Sequence, residues 1–417
     1  MDEIIKAGSY NERIPFEEIA LRHSRIRRKL AALAPEADGL LLLGDVNIYY
    51  ASGTMSAGGL WLPAEGKPVL FVRKGLERAK AETAIANVLP YRSYGELAAL
   101  SRNAGSPLPE HGCIAVDMGY TTWAAANMLR SKLPSVNFVS GDAVIKRSRA
   151  VKTAWEIARM RQAGKIHEQC LCEDVPSVIR PGMNEWQIAC KVHELYAARG
   201  NSGFVRLCPP GRVSLGCVSA GDSGLYPIAF DGPLGLRGLH PAVPYGGSRD
   251  IVWQRNQLLS IDTPCCFEGY VSDKTVTYYS GSSIPASLKA ASACCAAIYH
   301  ESQLQMYAGN TPSALWSLAK RIAEQYGQTD MFMGAGSERV RFLGHGLGLE
   351  MNEYPAIAEH FDEPFEEGMT IALEPKIAVP GVGMVGMEDT FLVQQKSSVS
   401  LSGRASPLLA VDAADAS

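Results

Sequence analysis

The sequence predicts an α/β (α+β) protein built from two domains. A chain of 417 residues is too long for one ordinary hydrophobic core, which favours two domains. Short apolar runs alternate with helical stretches through residues 1–150, as expected for an α/β layer domain. From residue 258 onward, strand-like segments are interrupted by two helical stretches, which predicts a second domain of mixed α and β structure.

The first domain is predicted to comprise residues 1–150. Its expected strands lie in GLLLLGDVNIYYASG, KPVLFVRKG and CIAVDMG, and its expected helices in FEEIALRHSRIRRKLAAL, GLERAKAETAIANVL and TTWAAANMLRSKL. The residue pattern changes near residue 150, where a long predicted helix begins within IKRSRAVKTAWEIARMRQAGKIHEQCL. We therefore place the domain boundary there.

The second domain is predicted to comprise residues 151–400. PGMNEW introduces a helix, for which Asn184 is the expected N-cap. Residues 201–250 are rich in Gly, Pro and Ser, and a loop of this length inside a domain is usually functional, so we expect it to line the mouth of an active site. Residues 401–417 lose periodicity and are expected to form a frayed C-terminal tail.

Composition and charge exclude several classes of partner. The net charge is −3, with acidic and basic residues interspersed, which gives no electrostatic reason to expect nucleic acid or a membrane surface. The N-terminus lacks an apolar signal region, and apolar runs such as Leu40–Leu43 are much shorter than a bilayer span. We expect a cytoplasmic protein with a small substrate, whose ten cysteines are reduced thiols.

Five residues with metal-binding side chains lie in apolar or glycine-rich segments. Asp262 and Asp273 are eleven residues apart, on two segments that a hairpin could bring together. His345 lies between glycines, Glu374 precedes a proline, and Glu388 lies in an apolar run, where an unpaired carboxylate would be costly. Either aspartate alone would more often be a surface or turn residue. Together, four carboxylates and one imidazole suit a pair of divalent ions.

In this order and at these spacings, the five residues resemble those of the creatinase/aminopeptidase P/prolidase/methionine aminopeptidase superfamily, the pita-bread metallopeptidases. The resemblance extends from about Ala150 to Val393, and residues 1–150 resemble the N-terminal domain of the creatinase and prolidase branch. It implies a creatinase-like α/β domain followed by a pita-bread catalytic domain. It also implies two divalent ions, Mn, Co, Zn or Fe, and a homodimer.

The same resemblance implies a role for each of the five residues. Asp262 would chelate one ion, Asp273 and Glu388 would bridge the two ions, and His345 and Glu374 would bind the other. The implied activity is that of an Xaa-Pro dipeptidase or aminopeptidase, in which a metal-bridged hydroxide attacks an amide carbonyl. Glu374 would also carry the proton from the attacking hydroxide to the leaving nitrogen.

Three positions depart from the pattern of the peptidase members. Tyr245 and Asn352 stand where those enzymes have histidines that contact the scissile peptide, and Gly386 stands where an arginine is frequent. Tyr and Asn side chains can still hydrogen-bond a substrate carbonyl or an oxyanion, so we include Tyr245 and Asn352 among the catalytic candidates. Arg341 and His240 are the candidates for binding substrate.

Three alternatives remain open from the sequence. The same fold could act on a small non-peptide molecule, as ectoine hydrolase and dimethylsulfoniopropionate lyase do, and the missing histidines favour this alternative. A non-catalytic pita-bread binding protein is a second possibility, although such proteins lose their metal ligands. A thiol enzyme that uses Cys265 or Cys266 is the third, but cysteines in strands are commonly inert core residues.

Overall fold

The fold is described from a computed structural model. The described residues are 13–207, 212–213 (backbone only), 216–228, 230–403 and 408–411. Part of the predicted tail, residues 404–407 and 412–417, therefore lies outside them. The chain forms two compact units, Met1–Arg149 and Ala150–Ser417.

The first unit is built on a six-stranded mixed sheet. Its strands are β1 (Gly39–Leu42), β2 (Gly58–Pro63), β3 (Val69–Val72), β4 (Asn87–Pro90), β5 (Gly112–Val116) and β6 (Val136–Ser140). The strand order is β4-β3-β2-β1-β5-β6, with antiparallel pairing among β1, β2 and β3 and parallel pairing elsewhere. Its helices are α1 (Phe16–Leu33), α2 (Asp45–Ser52), α3 (Leu76–Glu82), α4 (Leu97–Asn103), α5 (Trp123–Lys132) and α6 (Asp142–Ala150).

One long strand predicted in this unit is wrong in its second half. GLLLLGDVNIYYASG forms β1 and then turns into α2. The buried carboxylate of Asp117 accepts hydrogen bonds from the backbone N–H groups of Leu43 and Gly44 and from the side-chain amide of Asn47. These contacts come from a distant part of the sequence and satisfy donors at the beginning of α2, so local apolar pattern does not decide the conformation here.

The second unit contains five α-helices and thirteen strands among its described residues. The helices are α7 (Ala154–Glu168), α8 (Val175–Val178), α9 (Glu185–Ala198), α10 (Ala286–Gln305) and α11 (Pro312–Gln325). The strands are β7 (Arg206–Leu207), β8 (Arg212–Val213), β9 (Cys217–Ala220), β10 (Leu258–Phe267), β11 (Tyr270–Tyr279), β12 (Phe342–Gly346), β13 (Glu353–Ala358), β14 (Thr370–Leu373), β15 (Lys376–Val379), β16 (Gly383–Gly386), β17 (Asp389–Val393), β18 (Ser398–Ser400) and β19 (Leu409–Ala410).

Two sheets of the second unit carry the metal-binding side chains. One has the strand order β19-β11-β10-β9, and the other has the order β13-β12-β14-β17-β18. The pairs β15-β16 and β7-β8 form separate two-stranded sheets. One apolar core contains residues of α10, α11 and the five-stranded sheet, and another contains residues of α7, α9 and the four-stranded sheet. Each sheet therefore has one face fixed by buried apolar side chains.

Helix caps in the second unit follow from the sequence. Asn184 caps α9, as predicted: its side chain accepts a hydrogen bond from the backbone N–H of Gln187, whose side chain bonds back to the Asn184 N–H. Thr153 and Glu156 form the same reciprocal arrangement at α7. None of the described helices combines the length and apolar character needed to cross a bilayer.

The expected frayed tail is wrong for its described residues. β19 pairs in parallel with β11, and Val411 after it is buried in a core. Ser402 is buried and donates a hydrogen bond to Asp389, next to one of the predicted metal ligands. The backbone of Leu401 approaches α7 so closely that a Cβ at Gly164 would overlap its carbonyl oxygen. Close backbone packing, rather than apolar periodicity, orders this segment.

Candidate metal centre

A tight hairpin brings the first two carboxylates together. Glu268 and Gly269 connect β10 to β11, and both have positive φ angles (49° and 86°), as a two-residue type I′ turn requires. In the resulting ladder Asp262 lies opposite Thr275, and Asp273 is two residues from Thr275 on the same strand. Because side chains alternate between the faces of a sheet, Asp262 and Asp273 are diagonal neighbours on one face.

The other three side chains come from the five-stranded sheet. His345 on β12 pairs with Ala372 on β14, and Glu374 lies two residues further along, immediately after β14. Glu388 immediately precedes Asp389, the residue of β17 that pairs with the end of β14. The three side chains therefore meet at the same end of this sheet.

The five side chains converge on one point. His345 Nε2 lies 3.7 Å from Asp273 Oδ2 and 3.6 Å from Glu374 Oε1. Two groups of three residues each offer ligand atoms within 4.8 Å of one another. Asp273, His345 and Glu388 form the first group, which we call group 1, and Asp262, Glu374 and Glu388 form the second, group 2. Glu388 is shared by both.

Group 1 fits a bound metal ion. The His345 Nδ1–H donates to the carbonyl oxygen of Gly346 at 3.1 Å, which leaves the lone pair of Nε2 directed at carboxylates. Burial lowers the pKa of His345, so the neutral imidazole is the favoured form. Within the described part of the chain, the buried Oε1 of Glu388 has no hydrogen-bond partner. A free imidazole lone pair and an unpaired carboxylate oxygen in one buried cluster call for a cation.

The three carboxylates of group 2 surround Lys376, a residue that the sequence analysis did not predict. Lys376 Nζ lies 3.2 Å from Asp262 Oδ2, 2.9 Å from Glu374 Oε2 and 3.1 Å from Glu388 Oε2. Its side chain is fully buried. Burial alone would lower the pKa of Lys376, but the three carboxylates outweigh it and hold that pKa well above its ordinary value. The ammonium form is therefore maintained inside the site.

The four carboxylates crowd one another. Burial raises the pKa of Asp262 to about 6 and that of Glu374 to about 7, while the charge on Lys376 opposes both increases. Burial and then repulsion from Glu388, Asp262 and Glu374 raise the pKa of Asp273 well above its usual range. Four buried carboxylates with one ammonium leave an excess of negative charge, which a divalent cation relieves.

Hydrogen bonds behind the cluster fix the ligand strands. The Asp273 backbone N–H donates to Thr390 Oγ1 at 2.8 Å, which ties β11 to β17. Thr275 Oγ1 donates to Glu388 Oε2 at 2.6 Å. On the opposite side, the carboxylate of Asp389 accepts from Lys274, from the Tyr299 hydroxyl and from Ser402. The two sheets are therefore joined at the residues adjoining the ligands, an arrangement that fixes the orientation of metal ligands.

The four other predicted site residues lie nearer to solvent. Tyr245 is half-buried and stacks on Phe230, with 5.2 Å between ring centroids. Asn352, Arg341 and His240 are exposed. Their roles toward a substrate stay predictions. The side chain of Arg212, a further arginine of the loop-rich stretch, lies outside the described residues.

The cysteines near the site are packed rather than reactive. Cys265 and Cys266 are 0% and 2% exposed. Burial raises the pKa of both thiols, whereas a nucleophilic cysteine needs a lowered pKa. Cys217, opposite Asp262 on β9, is also buried, and burial together with the charge on Asp262 raises its pKa well above the ordinary value. These environments disfavour a thiol enzyme.

Comparisons with known proteins identify the family of the chain. Residues 158–395 match metallopeptidase family M24, and residues 22–151 match the creatinase/prolidase N-terminal domain. The chain is 26% identical over 381 residues to the Xaa-Pro dipeptidase of Pyrococcus furiosus, an alignment that covers 87% of this chain and 93% of that protein.

Two solved structures share the fold. The dipeptidase PepE from Mycobacterium ulcerans has a TM-score of 0.77 at 22% identity, with 96% of this chain and 100% of that chain covered. The X-Pro aminopeptidase from Thermotoga maritima has a TM-score of 0.74 at 21% identity, with 92% and 100% covered.

The chain belongs to metallopeptidase family M24. The predicted fold, a creatinase-like N-terminal domain followed by a pita-bread domain, is confirmed. The protein is a hydrolase of the metallopeptidase class, and its family implies divalent metal ions.

Proposed function

We propose that the protein hydrolyses short peptides with proline after the scissile bond, as an Xaa-Pro dipeptidase or aminopeptidase. The observation that carries this proposal is group 1, in which Asp273, His345 and Glu388 offer ligand atoms within 4.8 Å of one another, while within the described part of the chain the Oε1 atom of Glu388 has no hydrogen-bond partner. The names of the similar proteins supply the peptide class. They give no support to a non-peptide substrate or to a non-catalytic binding role.

The ion would be held by Asp273, His345 and Glu388. Oxygen donors with one imidazole are compatible with Mn, Co, Zn or Fe. When bound, the ion supplies Lewis-acid activation of a water and of the substrate carbonyl. The second of the two ions expected from the sequence would have to bind among Asp262, Glu374 and Glu388, which already hold the Lys376 ammonium.

Side chains of the protein would transfer the proton and bind the substrate. Glu374 Oε2 is held by Lys376, whereas Oε1 faces His345, so Oε1 is the atom placed to accept a proton and deliver it to the leaving nitrogen. Tyr245 and Asn352 would donate hydrogen bonds to the substrate carbonyl as negative charge develops on it. Arg341 and His240 would bind the peptide carboxylate.

The test is a hydrolysis assay on protein loaded separately with Mn²⁺, Co²⁺, Zn²⁺ or Fe²⁺, with metal content measured in each sample. The substrates are Ala-Pro and Gly-Pro, the tripeptide Ala-Pro-Ala, the control Ala-Ala and a small non-peptide amide. We expect cleavage of the Xaa-Pro bond in at least one of the first three, with little cleavage of Ala-Ala. No cleavage of any Xaa-Pro substrate by metal-loaded protein would refute the proposal.

Asp273→Asn tests the ligand assignment. Removing a ligand charge is expected to lower activity by more than about 100-fold and to lower metal content with it, since even residues behind the ligands contribute about 10- to 100-fold. The matched control is Asp330→Asn, at an exposed aspartate, which should leave both unchanged. Full turnover and full metal content in Asp273→Asn would show that Asp273 is not a ligand.

The homodimer and the cytoplasmic location expected from the sequence stay predictions. Sedimentation velocity of the full chain would measure the first, and fractionation of the source cells would measure the second.

A further inference from the structure

We infer that Lys376 takes the place of one metal ion, so that this protein binds a single divalent cation where its family resemblance implies two. The inference rests on the proposed role of the five-residue cluster as a metal centre. It concerns which residues neutralise the carboxylates there, and it does not depend on the identity of the peptide.

The position of the ammonium coincides with one ligand group. The three carboxylates of group 2 are the same three that Lys376 Nζ contacts, at 2.9–3.2 Å. An ammonium has three N–H donors, and here it has three carboxylate acceptors. Each donor can therefore be matched by a charged oxygen, and the ammonium satisfies group 2 without a further cation.

A metal ion cannot share group 2 with this ammonium. An ion such as Zn²⁺ would bind the same three carboxylates at about 2.0–2.2 Å. It would then compete with Nζ for these carboxylates and lie beside a like charge in a buried site. One of the two cations must be absent.

Lys376 is fixed where it is. Its side chain is fully buried, and its residue on β15 pairs with Gly386 on β16. A Cβ added at Gly386 would lie 2.7 Å from Lys376 Cγ, so the lysine stem fills the volume that any other side chain at 386 would need. The glycine at 386, which departs from the arginine frequent in similar peptidases, thus leaves room for a cation supplied by the neighbouring strand.

Group 1 remains suited to an ion. Lys376 contacts Glu388 through Oε2, whereas the unpaired oxygen of Glu388 is Oε1. His345 Nε2 faces Asp273 and Glu374, and its lone pair needs a positive charge that a second carboxylate cannot supply. One ion in group 1 and one ammonium in group 2 satisfy the cluster.

The experiment counts bound ions in the full-length protein. Metal-free protein is titrated with Mn²⁺ by calorimetry, and the ions retained after desalting are counted by mass spectrometry. We expect one ion per wild-type chain and two per chain in Lys376→Met, which keeps the length of the stem and removes the charge. Two ions that share Glu388 would also be magnetically coupled, and electron paramagnetic resonance detects this coupling.

Lys152→Met is the matched control. Lys152 is another buried lysine, and its Nζ lies 3.0 Å from the Glu353 carboxylate outside the cluster. The Lys152→Met variant should bind one ion per chain, like the wild type. Lys376→Ala serves as a second variant if Lys376→Met does not fold, as checked by circular dichroism.

The outcomes separate this inference from the proposed function. Two ions bound to folded wild-type protein, or an unchanged single ion in both Lys376 variants, overturn the inference. The wild-type count stands even if neither variant folds. A single-ion wild type that cleaves no Xaa-Pro peptide would leave the inference intact and refute the proposed substrate.

Discussion

His167 on α7 joins the two strands of the hairpin that carries Asp262 and Asp273. Its Nε2 lies 2.7 Å from the carbonyl oxygen of Thr263, and its Nδ1 lies 2.6 Å from Ser272 Oγ. Because a carbonyl oxygen only accepts, Nε2 carries the proton, and the Ser272 hydroxyl donates to Nδ1. Burial, helped by the charge on Lys274, lowers the pKa of His167 to about 3. We predict that this buried neutral histidine makes the fold sensitive to acid.

The size of the effect follows from proton linkage. The ordinary pKa of histidine is about 6.5, so the unfolded chain binds a proton between pH 6.5 and pH 3, whereas the folded chain does not. The stability contribution of His167 is therefore fully present above pH 6.5 and is lost as the pH falls towards 3. At pH 5 the loss is about 2 kcal/mol, and below pH 3 it is about 5 kcal/mol.

The assay is urea unfolding at pH 7.5 and pH 5.0, with EDTA in every sample so that metal release does not contribute. Between the two pH values, the free energy of unfolding should fall by about 2 kcal/mol more in the wild type than in His167→Gln, since glutamine does not titrate. His111→Gln, at an exposed histidine, should behave like the wild type. Equal pH dependence of wild type and His167→Gln would refute the reasoning.

Two predictions concern activity. Asn352→His is expected to raise the hydrolysis of Xaa-Pro dipeptides, because an imidazole can carry a positive charge near the leaving amide; unchanged kcat/KM for several dipeptides would count against proline peptides as substrates. EDTA is expected to abolish activity and added Mn²⁺, Co²⁺, Zn²⁺ or Fe²⁺ to restore it, whereas iodoacetamide should have no effect, because Cys265 and Cys266 are buried with raised pKa values. Inactivation by iodoacetamide with the metal retained would favour a thiol nucleophile.

Local pattern predicted part of the fold, although the helix predicted over GLERAKAETAIANVL ends at Glu82 and its last residues begin β4 (Asn87–Pro90). The cap of α9 at Asn184 was predicted because side-chain capping depends on a few neighbouring residues. The helix α2 was not predicted, because the groups that stabilise its beginning bond to Asp117, more than seventy residues away. The ordered part of the tail was missed for the same reason, since a close backbone approach at Gly164 leaves no apolar periodicity to detect.

A hairpin could be anticipated to bring Asp262 and Asp273 together, whereas the convergence of all five candidate ligands was expected from the family resemblance. Asp262 and Asp273 lie on a hairpin closed by Glu268 and Gly269, and a two-residue turn of this kind fixes the register of every pair behind it. The positions of Asn352 and Tyr245 relative to a peptide depend on loops. Loops have no rule like the one by which a two-residue turn fixes strand register.

Lys376 is not predicted by the ligand pattern, because metal ligands are atoms that donate electron pairs and an ammonium donates none. The signal was nevertheless present in ALEPKIAVP. Glu374 and Lys376 are two residues apart, so an extended backbone turns both towards the same face, and the apolar residues that follow indicate a buried strand. A lysine on such a strand must find carboxylates, because an isolated buried charge is prohibitive. In a cluster of carboxylates, a buried lysine therefore competes with metal ions for the same carboxylates. The number of metal ions that such a cluster binds then depends on how many ammonium groups the chain places in it.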